Sequence, residues 1–263
     1  MNAHPIDRFT EVALAAIHES ESIALDSFRK PMQVEDKMTG GFYEPVTEAD
    51  KKIEVLLRAR LEAAFPDHRI VGEEYGETGS GDYSWIIDPI DGTRAFITGM
   101  PTWGMLIGLC YKDECILGIM HQPFTGETYI GRPDGATLYH RENATPLTVS
   151  TTTALDQALV YSTDPAMFLT QDLASRFNTI RERCRLHRWG GDCYSLALLA
   201  QGSIDLVVEG VLMPYDIVPM VPIIEAAGGV VTDLGGNTPL NGGLIIAACT
   251  KELHEQAMQI MKE

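Results

Sequence analysis

The segment Trp85-Ile86-Ile87-Asp88-Pro89-Ile90-Asp91-Gly92-Thr93-Arg94-Ala95-Phe96 runs an apolar strand directly into two aspartates three residues apart. A strand end holds such side chains rigidly, so Asp88 and Asp91 are candidates to converge on one cation. Hard ions such as Mg2+ are held by few carboxylates, with water and substrate phosphate completing the octahedron. Pro89 fixes the backbone between the two acids, and Gly92 lets a ligand come close to the main chain. Thr93 opens a short helix whose first amides suit an anion such as phosphate. The competing account is an ordinary turn, because Asp-Pro and Asp-Gly pairs are frequent turn formers.

Three other acidic segments stand where elements should begin or end. Gly72-Glu73-Glu74 follows the apolar pair Ile70-Val71, and Glu73 is a candidate third metal ligand; a solvated acidic face is the plainer reading. Pro45-Val46-Thr47-Glu48-Ala49-Asp50 starts a helix, where Thr47 as N-cap and acids favoured by the helix dipole account for the pattern without any chemistry. Pro214-Tyr215-Asp216 precedes a helix with Pro219 and Pro222 in its first turns and Gly228-Gly229 at its end, so Asp216 also reads as an N-cap.

The elements that must position these residues fall into two groups. Helices are expected over residues 6–28 and 48–65, with a glycine-bearing loop over 39–45 between them. Short apolar runs at 84–87, 105–111, 115–121 and 128–130 read as strands of an antiparallel meander. The second half alternates: strand 158–162, helix 165–184, strand 185–188, helix 193–201, strand 204–209, helix 217–227, strands 230–232 and 244–248, and a closing helix from Lys251. That order predicts an α/β (α+β) sandwich of helix layers on mixed β-sheets. The polar stretch 142–153 marks the boundary between an expected metal- and phosphate-binding lobe, 1–145, and a substrate-recognition lobe, 146–263. The stretch from Gly76 to Gly81 has no strand-to-helix context, and reads as a loop and not as a nucleotide-binding turn.

Composition narrows the partners. A chain of 263 residues, 45% hydrophobic, can bury one large core or two lobes that share one. Net charge is -17, from 37 acidic and 20 basic residues, which excludes a concentrated basic surface for nucleic acid. Five widely spaced cysteines fit neither a disulfide framework nor a zinc knuckle, which points to a reducing cytoplasm. Charged residues interrupt the first twenty positions, and no segment approaches the roughly 20 apolar residues that span a bilayer, so neither a signal peptide nor a membrane anchor is expected.

Taken in order, the Gly-Glu-Glu, the Asp-Pro-Ile-Asp-Gly-Thr run with Phe96 three residues after Thr93, and an Asp heading a helix that ends in Ala-Gly-Gly resemble the inositol monophosphatase superfamily. The resemblance covers most of the chain. It implies two or three Mg2+ per site, held by Glu73, Asp88, the main-chain carbonyl of Ile90, Asp91 and Asp216. It further implies that Asp50 and Thr93, with Glu73 in the catalytic set, orient and deprotonate the attacking water, and that the amides of Gly92 and Thr93 hold phosphoryl oxygens. A homodimer acting on a small soluble phosphate monoester is the implied assembly.

The substrate half departs from the inositol enzymes. Those carry a small residue where Asp192 stands here, in Trp189-Gly190-Gly191-Asp192-Cys193-Tyr194, and Glu209 adds a second acid seven residues before Asp216. An acidic pocket suits a cationic substituent. The combination resembles the histidinol-phosphate phosphatase branch, whose substrate carries an ammonium and an imidazole. The plainer readings are a helix N-cap for Asp192 and a strand-edge charge for Glu209. An inositol or sugar phosphate phosphatase is the alternative within the same chemistry. Outside catalysis, the alternative is a metal-binding regulatory protein, which would have no use for a water-activating pair.

Overall fold

The computed structural model describes residues 4–36 and 45–263. Most of the expected loop over 39–45 thus lies outside the described residues.

The N-terminal part comprises α1 (Ile6–Ser27), β1 (Val34–Asp36), β2 (Pro45–Thr47), α2 (Glu48–Ala64), β3 (Arg69–Gly72), β4 (Gly76–Thr78), β5 (Tyr83–Asp91), α3 (Thr93–Thr98), β6 (Gly104–Tyr111), β7 (Glu114–Gln122), β8 (Glu127–Arg132), β9 (Gly135–His140) and β10 (Asn143–Pro146). β1 and β2 form a small antiparallel pair, and β3 to β10 build one sheet in the order β10-β9-β8-β7-β6-β5-β3-β4. Its β5–β8 part is the expected antiparallel meander, which β9 and β10 continue; β3 lies parallel to β5. Three strands of this sheet were not expected. β9 and β10 extend the sheet to Pro146, and the supposed loop at Gly76 contributes β4, which pairs with β3.

The rest comprises β11 (Leu159–Ser162), α4 (Gln171–Arg183), β12 (Leu186–Trp189), α5 (Asp192–Ala200), β13 (Leu206–Leu212), α6 (Pro214–Ile217), α7 (Met220–Ala226), β14 (Val230–Asp233), β15 (Gly243–Ala248) and α8 (Lys251–Lys262). These strands form a second mixed sheet, β12-β11-β13-β15-β14, parallel on one side of β13 and antiparallel on the other.

Two expected helices are each divided. The 165–184 segment is a 3-10 turn, Pro165–Met167, followed by α4. Asp164 caps the turn and Thr170 caps α4, so the chain starts afresh between them. The 217–227 helix is split into α6 and α7 around Pro219, which has no N–H to continue the ladder and serves as the N-cap of α7.

Layers alternate. α1 and α2 pack on one face of the large sheet, α5, α6 and α7 fill the space between the two sheets, and α4 and α8 cover the far face of the small one. Three large apolar cores lie at these junctions, centred on residues such as Ile53 and Trp85, Leu106 and Ile223, and Val208 and Leu253. The middle layer sits close because Gly108, Gly118 and Gly131 are cross-strand partners in one row. A Cβ on Gly118 would lie 2.0 Å from the Pro219 carbonyl oxygen, and one on Gly131 would lie 2.3 Å from the Ile223 nitrogen. Only a row of glycines lets α6 and α7 settle this deeply.

All five cysteines are free thiols, with Cys110 and Cys115 Sγ atoms 3.2 Å apart across β6 and β7. Among the described residues no helix is long and apolar enough to cross a membrane.

Candidate active site

β5 carries its apolar run into the layer junction and breaks pairing register with β6 between Asp88 and Asp91. That irregularity turns both carboxylates toward α6. Asp88 is buried, and its Oδ1 accepts from the Ile90 N–H at 3.0 Å. Asp216 sits in the single turn of α6; the N-cap there is Met213, whose N–H donates to Asp216 Oδ2 at 2.8 Å. The N-cap reading of Asp216 is therefore replaced by a third-position acid whose carboxylate reaches back over the turn.

Ligand oxygens of Asp88, Asp91 and Asp216 lie within 4.8 Å of one another. Glu73 lines the same cleft and hydrogen-bonds the Asp88 carboxyl. Burial, followed by the neighbouring charges of Glu73, Asp91 and Asp216, pushes the Asp88 carboxyl well above the usual carboxylate range. Burial and Asp91 do the same to Asp216. Asp91 is pushed up to about 7 by burial and then by Asp192. Acids concentrated in this way, with no lysine or arginine among the charges that shift them, suit a divalent cation, which would offset both desolvation and mutual repulsion. The donor set is all oxygen, as Mg2+ requires.

The Glu73 turn is held from below by a residue that sequence reasoning passed over. Glu54 on α2 is fully buried; its carboxylate accepts from the main-chain N–H of Glu74 (2.7 Å) and of Tyr75 (3.1 Å), and from Arg58 Nε at 2.8 Å. Gly72 is obligatory in this packing, since a Cβ there would stand 2.2 Å from Glu54 Oε1.

Gly92, at φ 80°, ends β5 and caps α3, and Thr93 is the first residue of that helix, as expected. The Thr93 hydroxyl donates to the Ile90 carbonyl at 3.1 Å. Asp50 fulfils its capping role: its Oδ2 accepts from the Thr47 N–H at 3.0 Å and from the Thr47 hydroxyl. Its Oδ1 is buried without a hydrogen-bond partner, and burial pushes the carboxyl up to about 6. Asp50 does not line the cleft, although β2, which leads into its helix, packs against α3.

The cleft, about 760 Å3, is also lined by Ile90, Gly92, Thr93, Asp192 and Glu209. Glu209 is not a strand-edge charge. β13 is the central strand of its sheet, and the buried Glu209 carboxylate accepts from the Thr163 N–H (3.1 Å) and hydroxyl (2.9 Å). Burial pushes it up to about 8. Nor is Asp192 an N-cap: Gly191 takes that place without a side-chain cap, and Asp192 starts α5 at φ 44°. Its Oδ2 accepts from the Thr102 hydroxyl at 2.7 Å, and its N–H donates to Thr163 Oγ1 at 3.1 Å. Burial raises this carboxyl too. Thr163, which joins the two acids, was not singled out in the sequence; its place directly after the strand at 158–162 is the signal that could have found it.

Comparison with known proteins agrees with this geometry. A bifunctional chloroplast phosphatase, IMPL2, of Arabidopsis thaliana is 36% identical over 98% of this chain and 76% of its own length. A histidinol-phosphatase of Chlorobaculum parvum is 35% identical over 89% of this chain and 88% of its own. An inositol monophosphatase structure from Zymomonas mobilis superposes with a TM-score of 0.87 at 35% identity, covering 99% of this chain and 100% of the other. Since the sequence model of the inositol monophosphatase family also matches residues 6–263, the chain belongs to that family of metal-dependent phosphatases.

Proposed function

We propose that this phosphatase hydrolyses histidinol phosphate with Mg2+. The observation that supports the substrate is the pair of buried acids, Asp192 and Glu209, in the wall of the cleft that also holds Asp88, Asp91 and Asp216. A phosphate ester of a neutral alcohol leaves both acids desolvated, offset only by the Thr102 and Thr163 donors and, at Asp192, by the field of Arg94. A substrate ammonium would offset that cost, and the apolar side chains of Leu169, Val211 and Met213 at the cleft suit a flat imidazole. The similarity to a histidinol-phosphatase points the same way. The similarity to inositol monophosphatases favours a polyol phosphate as the second reading.

In this reading Glu73, Asp88, Asp91, Asp216 and the Ile90 carbonyl hold two or three ions. When bound, Mg2+ supplies Lewis-acid charge to phosphoryl oxygen and lowers the pKa of water. Asp50 and Thr93 act as a pair that orients and deprotonates the attacking water, Thr93 from the cleft wall and Asp50, with a carboxyl raised to about 6 and a free Oδ1, from outside the cleft lining and so through Thr93. Thr93 orients that water, and the amides of Gly92 and Thr93 hold the phosphoryl oxygens. Water oxygen bonds to phosphorus as the ester P–O bond breaks, and the departing alkoxide takes a proton from solvent to leave as the alcohol. Residues 1–145 thus provide most of the metal and phosphate site, with Asp216 from the second lobe, and 146–263 recognise the alcohol. The reading includes a cytoplasmic homodimer.

Asp192→Asn tests the substrate. Asparagine keeps an acceptor for Thr102 and tolerates a positive φ, so the wall stays built while the charge goes. Loss of an ion partner from a desolvated ammonium costs about 2–5 kcal/mol, so kcat/KM for histidinol phosphate should fall about 30-fold or more. Hydrolysis of glycerol phosphate should continue as before. Parallel loss on both substrates would leave Asp192 as a structural residue and remove the support for histidinol phosphate.

A further inference from the structure

A second group of ligating side chains meets away from the cleft, where α1 packs on β7. His18 and Glu21, three apart on one face of α1, face His121 of β7, and one donor atom from each lies within 4.8 Å of the others. None of the three lines the cleft.

His121 is 3% exposed. Its Nδ1 is engaged with Thr128 Oγ1 at 2.8 Å, which fixes the ring. Its Nε2 is buried, makes no hydrogen bond, and stands 3.2 Å from Glu21 Oε1. Burial pushes this imidazole down to about 4, so at neutral pH the ring is uncharged and one nitrogen offers a lone pair. In the tautomer whose Nδ1–H donates to Thr128, the Nε2 lone pair faces the Glu21 carboxylate 3.2 Å away, and a cation between them takes both donors. Glu21 Oε1 is shared with His18 Nδ1, and the two imidazole rings stand 5.2 Å apart at 77°.

We propose that His18, Glu21 and His121 form a binding site for a zinc-class divalent ion that fastens α1 to the large sheet. Two imidazole nitrogens and one carboxylate oxygen are the donors of a three-ligand zinc site, and they differ from the all-oxygen cluster of the cleft. Ligands roughly 2.0–2.1 Å from a tetrahedral ion stand about 3.3 Å from one another, close to the 3.2 Å between His121 and Glu21, and the tighter His18–Glu21 contact opens to that spacing when an ion enters. Thr128 holds the second nitrogen of the buried histidine, as partners of metal-ligating histidines do. His18 and Glu21 are partly exposed, so the fourth position opens to water.

Zinc titration of the full-length protein in saturating Mg2+ tests the site, because Mg2+ occupies the oxygen cluster and the histidines remain open. One equivalent of zinc should bind per chain and raise Tm. His18→Ala and Glu21→Gln, both at partly exposed positions, should each weaken that equivalent by about 10- to 100-fold and abolish the Tm rise, with Mg2+-dependent phosphate release unchanged. In Co2+-loaded protein the visible d–d absorption of a tetrahedral site should disappear in the same variants. Absence of a zinc equivalent in the wild type, or an equivalent that survives His18→Ala and is lost in Asp88→Asn, would overturn the proposal.

Discussion

The main-chain N–H of Cys193 donates to Asp91 Oδ2 at 2.7 Å, so the start of α5 is tied directly to the carboxylate cluster. One oxygen of Asp91 is thereby committed to the junction of the two sheets and the other is left for a cation. Asp91→Asn should keep the junction, since an amide oxygen still accepts from Cys193, and lose turnover in Mg2+. Asp91→Ala should lose turnover and also several degrees of Tm. Equal Tm in the two variants would show that the hydrogen bond contributes nothing to holding the lobes.

The buried acids give metal-free stability a definite pH dependence. Carboxyls of the unfolded chain titrate near pH 4, roughly, whereas burial holds Asp88 and Asp216 well above that and Asp91 up to about 7. The folded state therefore binds more protons than the unfolded state across that window, and stability falls as pH rises through it. Magnesium binds the deprotonated acids, so its stabilisation grows over the same window. Metal-free Tm should decline between about pH 5 and 8, excess Mg2+ should flatten the decline, and Asp88→Asn should raise metal-free Tm at the upper end while losing most of the Mg2+ response. A metal-free Tm that climbs across this range would contradict the assignment.

Glu54 acts at one remove, by fixing the turn that presents Glu73. Removing it takes the carboxylate from the buried Arg58, which keeps only its neutral partners Thr78 and Gly76, a loss of about 3–5 kcal/mol for a broken buried pair. Glu54→Gln should also raise the Mg2+ concentration for half-maximal activity. Unchanged Mg2+ dependence in a folded variant would confine Glu54 to stability.

How much of this was legible depended on whether the residues lie near one another in the chain. Asp88, Asp91 and Thr93 share one strand and its turn, so their spacing alone suggested a cation and phosphate site. Glu73 was a candidate from its place after an apolar pair, but Asp216 entered as a ligand only through family resemblance, because the descent of α6 onto the glycine row that brings Asp216 to Asp88 is a long-range packing event. The Cys193 N–H is a main-chain donor with no signature in side-chain chemistry. Glu54 and Arg58 look like an ordinary i,i+4 surface pair; their burial is set by β3, β4 and the Glu73 turn closing over them. The break at Pro219 was missed because two prolines near a helix start fit one helix as well as two. His18, Glu21 and His121 are a hundred residues apart at the extremes, and no local pattern joins them.

Thr93→Ala separates chemistry from binding. The hydroxyl is assigned to the attacking water, so kcat should fall by roughly 10²-fold or more with KM little changed. Unaltered kcat would leave Thr93 with its bond to the Ile90 carbonyl alone.

The most direct measurement is steady-state phosphate release by the wild type from histidinol phosphate, inositol 1-phosphate and fructose 1,6-bisphosphate, with Mg2+ and with chelator. Release should require Mg2+, and kcat/KM should be highest for histidinol phosphate by at least the roughly tenfold that 1.4 kcal/mol of ammonium recognition provides. A higher kcat/KM for inositol 1-phosphate, or release that persists in chelator, would contradict the account.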